Sequence, residues 1–587
     1  MTAWQRWGVF GLTVVALCLR LWGADQAAPY VPDTQIIREA LDLGQKLANG
    51  SANFDIGLGG ASKYPYVLPY LLLPVYGVIL IGGRVSGVFH STQDFVSWLF
   101  LNRVAIHVVT VTLIASLSAL MVPVTFAIAR RFNRGLGPWL AATFVTFSVT
   151  LIHFSHHARP HLPLAFFILL ALYFSLRVYD TKSLRHYILA GGSVALAIGT
   201  LQSGVLAVVP FGVAHLLGID FRHRKDWYKS LITKPLVAGL GAMLVGCIAA
   251  YPQLLLSPQS VIKLVDTSDG QTAVVVGGQT GTALDGFQLN YLPKNLGYLF
   301  GYEPITAALG IIGMVWFLAR PQVKTDHLIL VSLAGVFLVL FGLLRFTLPH
   351  YFSPLVPVLA IFAARMVADF ESVIDQRWPS FAFLNSGVFS GILIVPMIVS
   401  SLRLDYVLGQ VDTRTQAQNW ITANVPIGSA IGTDFRFELY PTQESIRLQQ
   451  SETNTVLGTR EQWLSNLSSA KYPAPAFAIT NLDVYEIDTL AQFSDLVNRH
   501  QLQYVAFEQY QIELANLLPV EEYAVKNGTR VAYFCPGSPL KENLNYALPD
   551  DITWPWWAMW QMDFPGPIVQ IFSLQSSESG QSLSLNC

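Results

Sequence analysis

One carboxylate stands out by its position. Asp33, in Tyr30-Val31-Pro32-Asp33, follows the first apolar run of the chain and precedes a stretch from Thr34 to Leu47 that reads as an amphipathic helix. A carboxylate held at the mouth of a membrane-embedded protein can take a proton from a hydroxyl as a general base. It can also cap the helix behind it, since Asp before Thr34-Gln35-Ile36 is a good N-cap. Two further polar groups interrupt apolar sequence: Ser155-His156-His157-Ala158-Arg159-Pro160-His161 and Arg345-Phe346-Thr347-Leu348-Pro349-His350-Tyr351. Imidazole and carboxylate suit zinc, so Asp33, His157 and His161 form one candidate set for a divalent metal. Interfacial or acceptor-binding histidines are the favoured reading. Glu39 and Asp42, on the helix after Asp33, read as solvated.

The elements that must position these residues are membrane spans. The 587 residues are 52% hydrophobic and 12% charged, with 14 Trp and 23 Tyr, and the mean hydropathy is +0.45. This is the composition of an integral membrane protein. A net charge of -1 gives no reason to expect a nucleic-acid partner. The run Trp7 to Gly23 is read as a retained first span, because no small-x-small cleavage site precedes Asp33. Apolar stretches of crossing length then follow at Val104 to Ile128, Pro138 to Phe154, Leu162 to Val178, Tyr187 to Gly199, Gly204 to Gly218, Leu236 to Leu256, Ile305 to Leu318, His327 to Leu344, Phe352 to Val367 and Phe381 to Leu402.

Charge gives the spans a side. Arg130, Arg131 and Arg134 form one basic loop, and Lys182, Arg185 and His186 a second. Arg222, Arg224, Lys225 and Lys229 form a third, and Arg320 and Lys324 a fourth. All four are expected to be cytoplasmic. Counting back from Arg130 to a cytoplasmic amino terminus leaves room for two crossings, so Tyr66 to Ile81 is expected not to span. Pro65, Pro69 and Pro74 suit a re-entrant or surface-lying segment. The count predicts about eleven crossings, and it puts Asp33, the histidine loop, the loop Pro258 to Pro304 and the Arg345–Tyr351 turn together on the external face.

Beyond Leu402 the chain turns polar, which sets the expected division at 1–404 and 405–587. Thr413 to Ala423 predicts a helix, and short β-rich runs fall at Ser429 to Gly432, Ala476 to Thr480, Tyr504 to Phe507 and Val531 to Phe534. A small external α/β domain is expected, with a Ser-rich, disordered tail from Gln575. Of the four cysteines, Cys18 and Cys247 read as buried hydrophobes. Cys535 and Cys587 could pair only in an extracytoplasmic tail folded to suit.

Several motifs occur in order: Pro32-Asp33 after the first span, Lys63-Tyr64-Pro65, the Ala-Arg-x-x-x-Pro run at Ala158 to Pro163, and Asn419-Trp420-Ile421-x-x-Asn424-x-Pro426-x-Gly428. Together they resemble the bacterial glycosyltransferases of the GT-C superfamily, the protein O-mannosyltransferase and aminoarabinose-transferase-like group. The resemblance implies a polytopic α-helical plasma-membrane enzyme that passes a sugar from a polyprenyl-phosphate carrier to a lipid, glycan or protein acceptor on the external face. Two departures are visible: the family's Asp-Glu pair is Asp33-Thr34 here, and a commonly acidic position is His161.

Sugar transfer with inversion needs a base for the acceptor hydroxyl and positive groups for the departing phosphate. Asp33 is the candidate base. Arg159, Lys63, Arg345 and His350, with Tyr351, are the candidates for the phosphate, because arginine offers a planar fork and lysine a point charge. His156, His157, His161 and Tyr64 are expected to shape the site or hold the acceptor. A lipid-linked-oligosaccharide ligase or polymerase and a diverged, non-catalytic member are the alternatives. A secondary transporter ranks third, since the polar groups gather at one face rather than at mid-span.

Overall fold

The computed structural model describes residues 2–26, 35–50, 64–133, 135–219, 231–252, 262–266, 272–276, 288–319, 325–345, 347–377, 388–433, 438–453, 459–485, 487–509, 518–537 and 555–574. Asp33 and Lys63 lie outside these residues. The chain divides into two compact units, one ending at Asp405 and the other beginning at Tyr406 and including Ser97–Val104.

The first unit is helical. Its elements are α1 (Ala3–Leu21), α2 (Gln35–Ala48), α3 (Val67–Val85), α4 (Thr92–Leu101), α5 (Arg103–Ala119), α6 (Met121–Phe132), α7 (Gly137–Thr146), α8 (Val149–His153), α9 (His161–Thr181), α10 (Leu184–Ile198), α11 (Val208–Leu217), α12 (Lys234–Ala250), α13 (Leu292–Tyr302), α14 (Pro304–Leu318), α15 (His327–Leu343), α16 (Val356–Arg377) and α17 (Val388–Leu408). The last residues of α4 and the first of α5 belong to the second unit. A hairpin of β1 (Ile262–Asp266) and β2 (Thr272–Val276) falls within the predicted long loop. Close helix packing rests on missing side chains: a Cβ on Gly191 would lie 2.0 Å from the Gly239 carbonyl oxygen, which fixes the crossing of α10 and α12.

Two expectations about this unit are corrected. Tyr66 to Ile81 is not re-entrant but lies in α3, one continuous helix of 19 residues, long and apolar enough to cross a membrane. Pro69 sits in its first turn, where the amide has no intrahelical partner, and Pro74 removes one bond without ending the helix. The two-crossing count before Arg130 falls with it. The second correction concerns the predicted span Pro138 to Phe154, which is broken at Phe147-Ser148 into α7 and α8. Among the described residues four helices are long and apolar enough to cross, or six if each of two bent pairs counts as one, by length and composition alone. Four further apolar helices are shorter.

Helix α9 sets a scale for the unit. Its 21 residues begin at His161 and reach Asp180 near the other end, a rise of about 30 Å, the thickness of a bilayer's hydrocarbon. At the Asp180 end, Arg131 bonds Asp180 at 2.5 Å and Asp326 at 2.8 Å. Groups at the margins of three predicted basic loops therefore meet at one end. Burial works to raise the Asp326 carboxyl, but hydrogen bonds from His327 and Arg131 overcome it and hold its pKa at about 2. A carboxyl depressed in the folded state stabilises it above the unfolded value near 4, and that contribution is lost as pH falls toward 2. Arg131→Met is expected to begin acid unfolding at higher pH, read by tryptophan fluorescence. Superimposable acid curves for wild type and variant would remove this pair from the stability of the fold.

The second unit is a six-stranded sheet with helices on both faces. Its strands are β3 (Ala430–Thr433), β4 (Tyr440–Pro441), β5 (Ala476–Asn481), β6 (Tyr504–Gln509), β7 (Thr529–Phe534) and β8 (Ile568–Ser573), in the order β4-β5-β3-β6-β8-β7. The first four are parallel, and β8 runs antiparallel to β6 and β7. The helix Thr413–Asn424 buries Ala417, Ile421 and Val425 on one face, and Leu490–His500 buries Phe493, Leu496 and Val497 on the other. All four β-rich runs become strands. The strand β8 was not legible in sequence: it lies between β6 and β7 with both faces covered, so it shows no alternation. Cys535 is disulfide-bonded.

Candidate functional site

The histidine loop is shaped by the break in its span. Ser148 caps α8 by accepting from the Leu151 amide. The carboxylate of Glu303, at the 119° bend between α13 and α14, accepts from the Ser148 hydroxyl and from the Thr150 amide at 3.0 Å. A buried acid thus sits at a helix start, where its charge is favoured. Arg20, fully buried on α1, donates to Ser118 Oγ at 2.8 Å and to the carbonyls of Val145 (2.9 Å) and Thr146 (3.3 Å) at the end of α7. The charges of Asp405 and Glu303 act on it.

Beyond α8 the loop folds into a ring cluster. His153 and His157 have ring centres 5.1 Å apart, and Phe154 stacks on Tyr302 at 5.8 Å. The turn Pro349–Phe352 brings in His350, whose ring lies 5.3 Å from Phe154 and 4.1 Å from His161. Tyr351 stacks on His161 at 5.3 Å, its plane inclined by 25°, and its ring lies 4.8 Å from that of His350. Asn295 of α13 anchors the end of α15, ahead of that turn, by donating to the carbonyls of Gly342 (3.1 Å) and Leu344 (2.7 Å). Arg159 is buried among these groups, and its charge, with those of His153, His157 and His161, acts on His350. Among the described residues, the buried Nδ1 atoms of His157 and His350 have no hydrogen-bond partner. The cluster is a set of basic N–H groups walled by aromatic rings, which is anion-binding chemistry.

Of the sequence candidates, Arg159, His157, His161, His350 and Tyr351 therefore come together. His156 does not offer its ring to a ligand: Nδ1 lies 3.0 Å from the Ile152 carbonyl oxygen and Nε2 2.6 Å from that of Trp22, so the ring ties the loop to the end of α1. Arg345 is exposed. Tyr64 is buried near a separate group of tyrosines at the start of α3. Among the described residues no group of three metal-binding side chains occurs; Asp33, which the candidate metal set requires, lies outside them. The expectation that Glu39 is solvated is wrong: it is fully buried, on the row of α2 that carries Ile36, Ala40 and Leu43.

Sequence reading missed His153, absorbed into an apolar run, Tyr302, inside the long loop Pro258 to Pro304, and the Arg20–Glu303–Asp405 group. Its one signal was an arginine inside the first span, where a charge is costly without a partner. Arg20→Met is expected to destabilise the protein by about 1–3 kcal/mol, because the Ser118 hydroxyl and the Val145 and Thr146 carbonyls lose a buried donor and Asp405 and Glu303 lose a favourable charge. Arg20→Met with Asp405→Leu should recover part of that loss in thermal melts. A single variant melting like wild type would contradict this account of the network.

Residues 110–245, which contain the whole histidine loop and α9, match the family model of the dolichyl-phosphate-mannose-protein mannosyltransferases, the group that the sequence motifs resemble. Among solved structures, ArnT from Cupriavidus metallidurans in the apo state is similar at 12% identity, with 99% of this chain and 100% of that one covered and a TM-score of 0.47. The archaeal oligosaccharyltransferase AglB from Archaeoglobus fulgidus, in complex with an inhibitory peptide and a dolichol-phosphate, is similar at 11% identity over 86% of this chain and 70% of that one, with a TM-score of 0.44. The arabinofuranosyltransferase AftD from Mycobacteria shows 14% identity over 98% of this chain and 40% of that one, with a TM-score of 0.41. No curated protein matches.

Proposed function

We propose that this chain is a membrane glycosyltransferase that moves a sugar from a polyprenyl-phosphate donor to an acceptor hydroxyl on the external face, with inversion. The observation that carries the reading is the convergence of Arg159, His157, His161, His350 and Tyr351, from two distant stretches of chain, into one buried basic and aromatic cluster. The family match of the segment bearing Arg159 supports it. In this reading Arg159 and the imidazole N–H groups bind the carrier phosphate and stabilise the charge that grows on it as the glycosidic bond breaks. Asp33 takes the acceptor proton, so that attack and departure occur in one displacement.

The external placement is supported by two features. The basic loop margins meet at the end of α9 opposite His161, as the positive-inside tendency requires for an external site. Cys535 is disulfide-bonded, and disulfides persist in oxidising compartments.

The test is carrier binding by purified protein. Undecaprenyl phosphate is expected to bind, and undecaprenol, which lacks the phosphate, to bind at least about 10-fold more weakly. Equal affinity for the two lipids would overturn the phosphate assignment.

A further inference from the structure

A second polar group lies in the same unit, and nothing above gives it work. Glu39 occupies the inward row of α2 between Ile36 and Leu43, all three fully buried. Apolar side chains would fill that row without the cost of desolvating a carboxylate. Leu43, one turn beyond Glu39, packs with Tyr66, and both the Glu39 carboxyl and the Gln202 side chain interact electrostatically with Tyr251. The Tyr251 ring in turn packs on that of Tyr66, 6.1 Å away and inclined by 63°.

The scaffold around this group is tightly fixed. The Tyr66 amide donates to the Ala250 carbonyl at 2.8 Å and the Val67 amide to that of Gly199 at 3.0 Å, while the Tyr70 hydroxyl bonds the Ala249 carbonyl at 3.1 Å. Gly199 permits this approach, because a Cβ there would lie 2.3 Å from the Ala250 Cβ. The start of α3, the end of α10 and the end of α12 are thereby joined. Helices α9 and α10 are joined by the short turn at Lys182–Ser183 and pack on each other, so the chain at the end of α10, four residues before Gln202, has run back toward the His161 end of α9. The two polar groups therefore share one end of the unit.

Their chemistry differs in sign. A buried carboxylate repels phosphate, whereas carboxylate, amide and phenol together accept and donate hydrogen bonds to hydroxyl groups, and tyrosine rings offer apolar faces. We propose that Glu39, with Gln202, Tyr66 and Tyr251, recognises the hydroxyl groups of the sugar carried by the donor, while the histidine–arginine cluster holds its phosphate. This rests on the donor reading above and assigns its second half.

The test compares bare undecaprenyl phosphate with undecaprenyl-phosphate mannose, glucose and arabinofuranose on purified protein. Wild type is expected to bind at least one loaded carrier more tightly than the bare one. Glu39→Gln, which keeps the packing volume, should lose that preference by roughly 10- to 100-fold while binding the bare carrier as wild type does. Tyr251→Phe should reduce the preference in the same direction, and it carries the test should Glu39→Gln misfold. Arg159→Ala should show the reverse pattern, with weakened binding of every carrier and the sugar preference kept. Retention of the full preference in both Glu39→Gln and Tyr251→Phe overturns this inference alone. Failure of wild type to bind any carrier overturns the donor reading beneath it, and the two failures are distinct.

Discussion

Asp33→Asn is expected to lower sugar transfer by about 10²- to 10⁴-fold, the usual cost of losing a general base, with carrier-lipid binding nearly unchanged. The amide is close in size to the carboxylate and can still accept a hydrogen bond from a helix start, so capping is largely kept. It cannot take a proton from an acceptor hydroxyl. The measurement is turnover of a radiolabelled polyprenyl-phosphate sugar beside a thermal melt. Wild-type turnover would remove Asp33 from the mechanism, and a large fall in melting temperature would return it to the role of a cap.

Arg159→Ala comes next, with an expected loss of about 10²- to 10³-fold in turnover, because a positive group is removed from the position where phosphate charge develops. Binding of bare carrier should weaken with it, unlike the Asp33 variant, which should bind normally and turn over slowly. His161→Ala should also reduce transfer with the fold intact, by less, since a neutral donor is lost rather than a charge. If Arg159→Ala bound and turned over donor normally, the loop between α8 and α9 would be a structural turn and nothing more.

The convergence of His161 with His350 was legible because both stand at the ends of apolar runs, and charge distribution alone assigned those ends to one face. The strands β3, β5, β6 and β7 were legible from short β-rich runs bounded by turn residues. What sequence concealed was inward-facing polarity. Glu39 reads as solvated because the amphipathic pattern of α2 treats every charge as outward, while its actual row carries Ile36, Ala40 and Leu43. Arg20 and Glu303 are similarly hidden: each is a lone charge at the margin of an apolar segment, and their electrostatic interaction depends on a 119° bend that spacing does not encode. Pro74 misled in the opposite direction, since a single proline costs one hydrogen bond yet α3 runs through it.

The central claim is that sugar leaves a polyprenyl phosphate at the histidine–arginine cluster. The most direct measurement is a transfer assay with purified protein, the panel of undecaprenyl-phosphate sugars labelled in the sugar, and external-face membrane lipids and glycans as acceptors, following both released undecaprenyl phosphate and the anomeric configuration of the product. The account predicts carrier phosphate released in step with transferred sugar, an inverted anomer, and loss of both on Arg159→Ala. Product that retains the donor's configuration, or carrier release unaffected by Arg159→Ala, would contradict it.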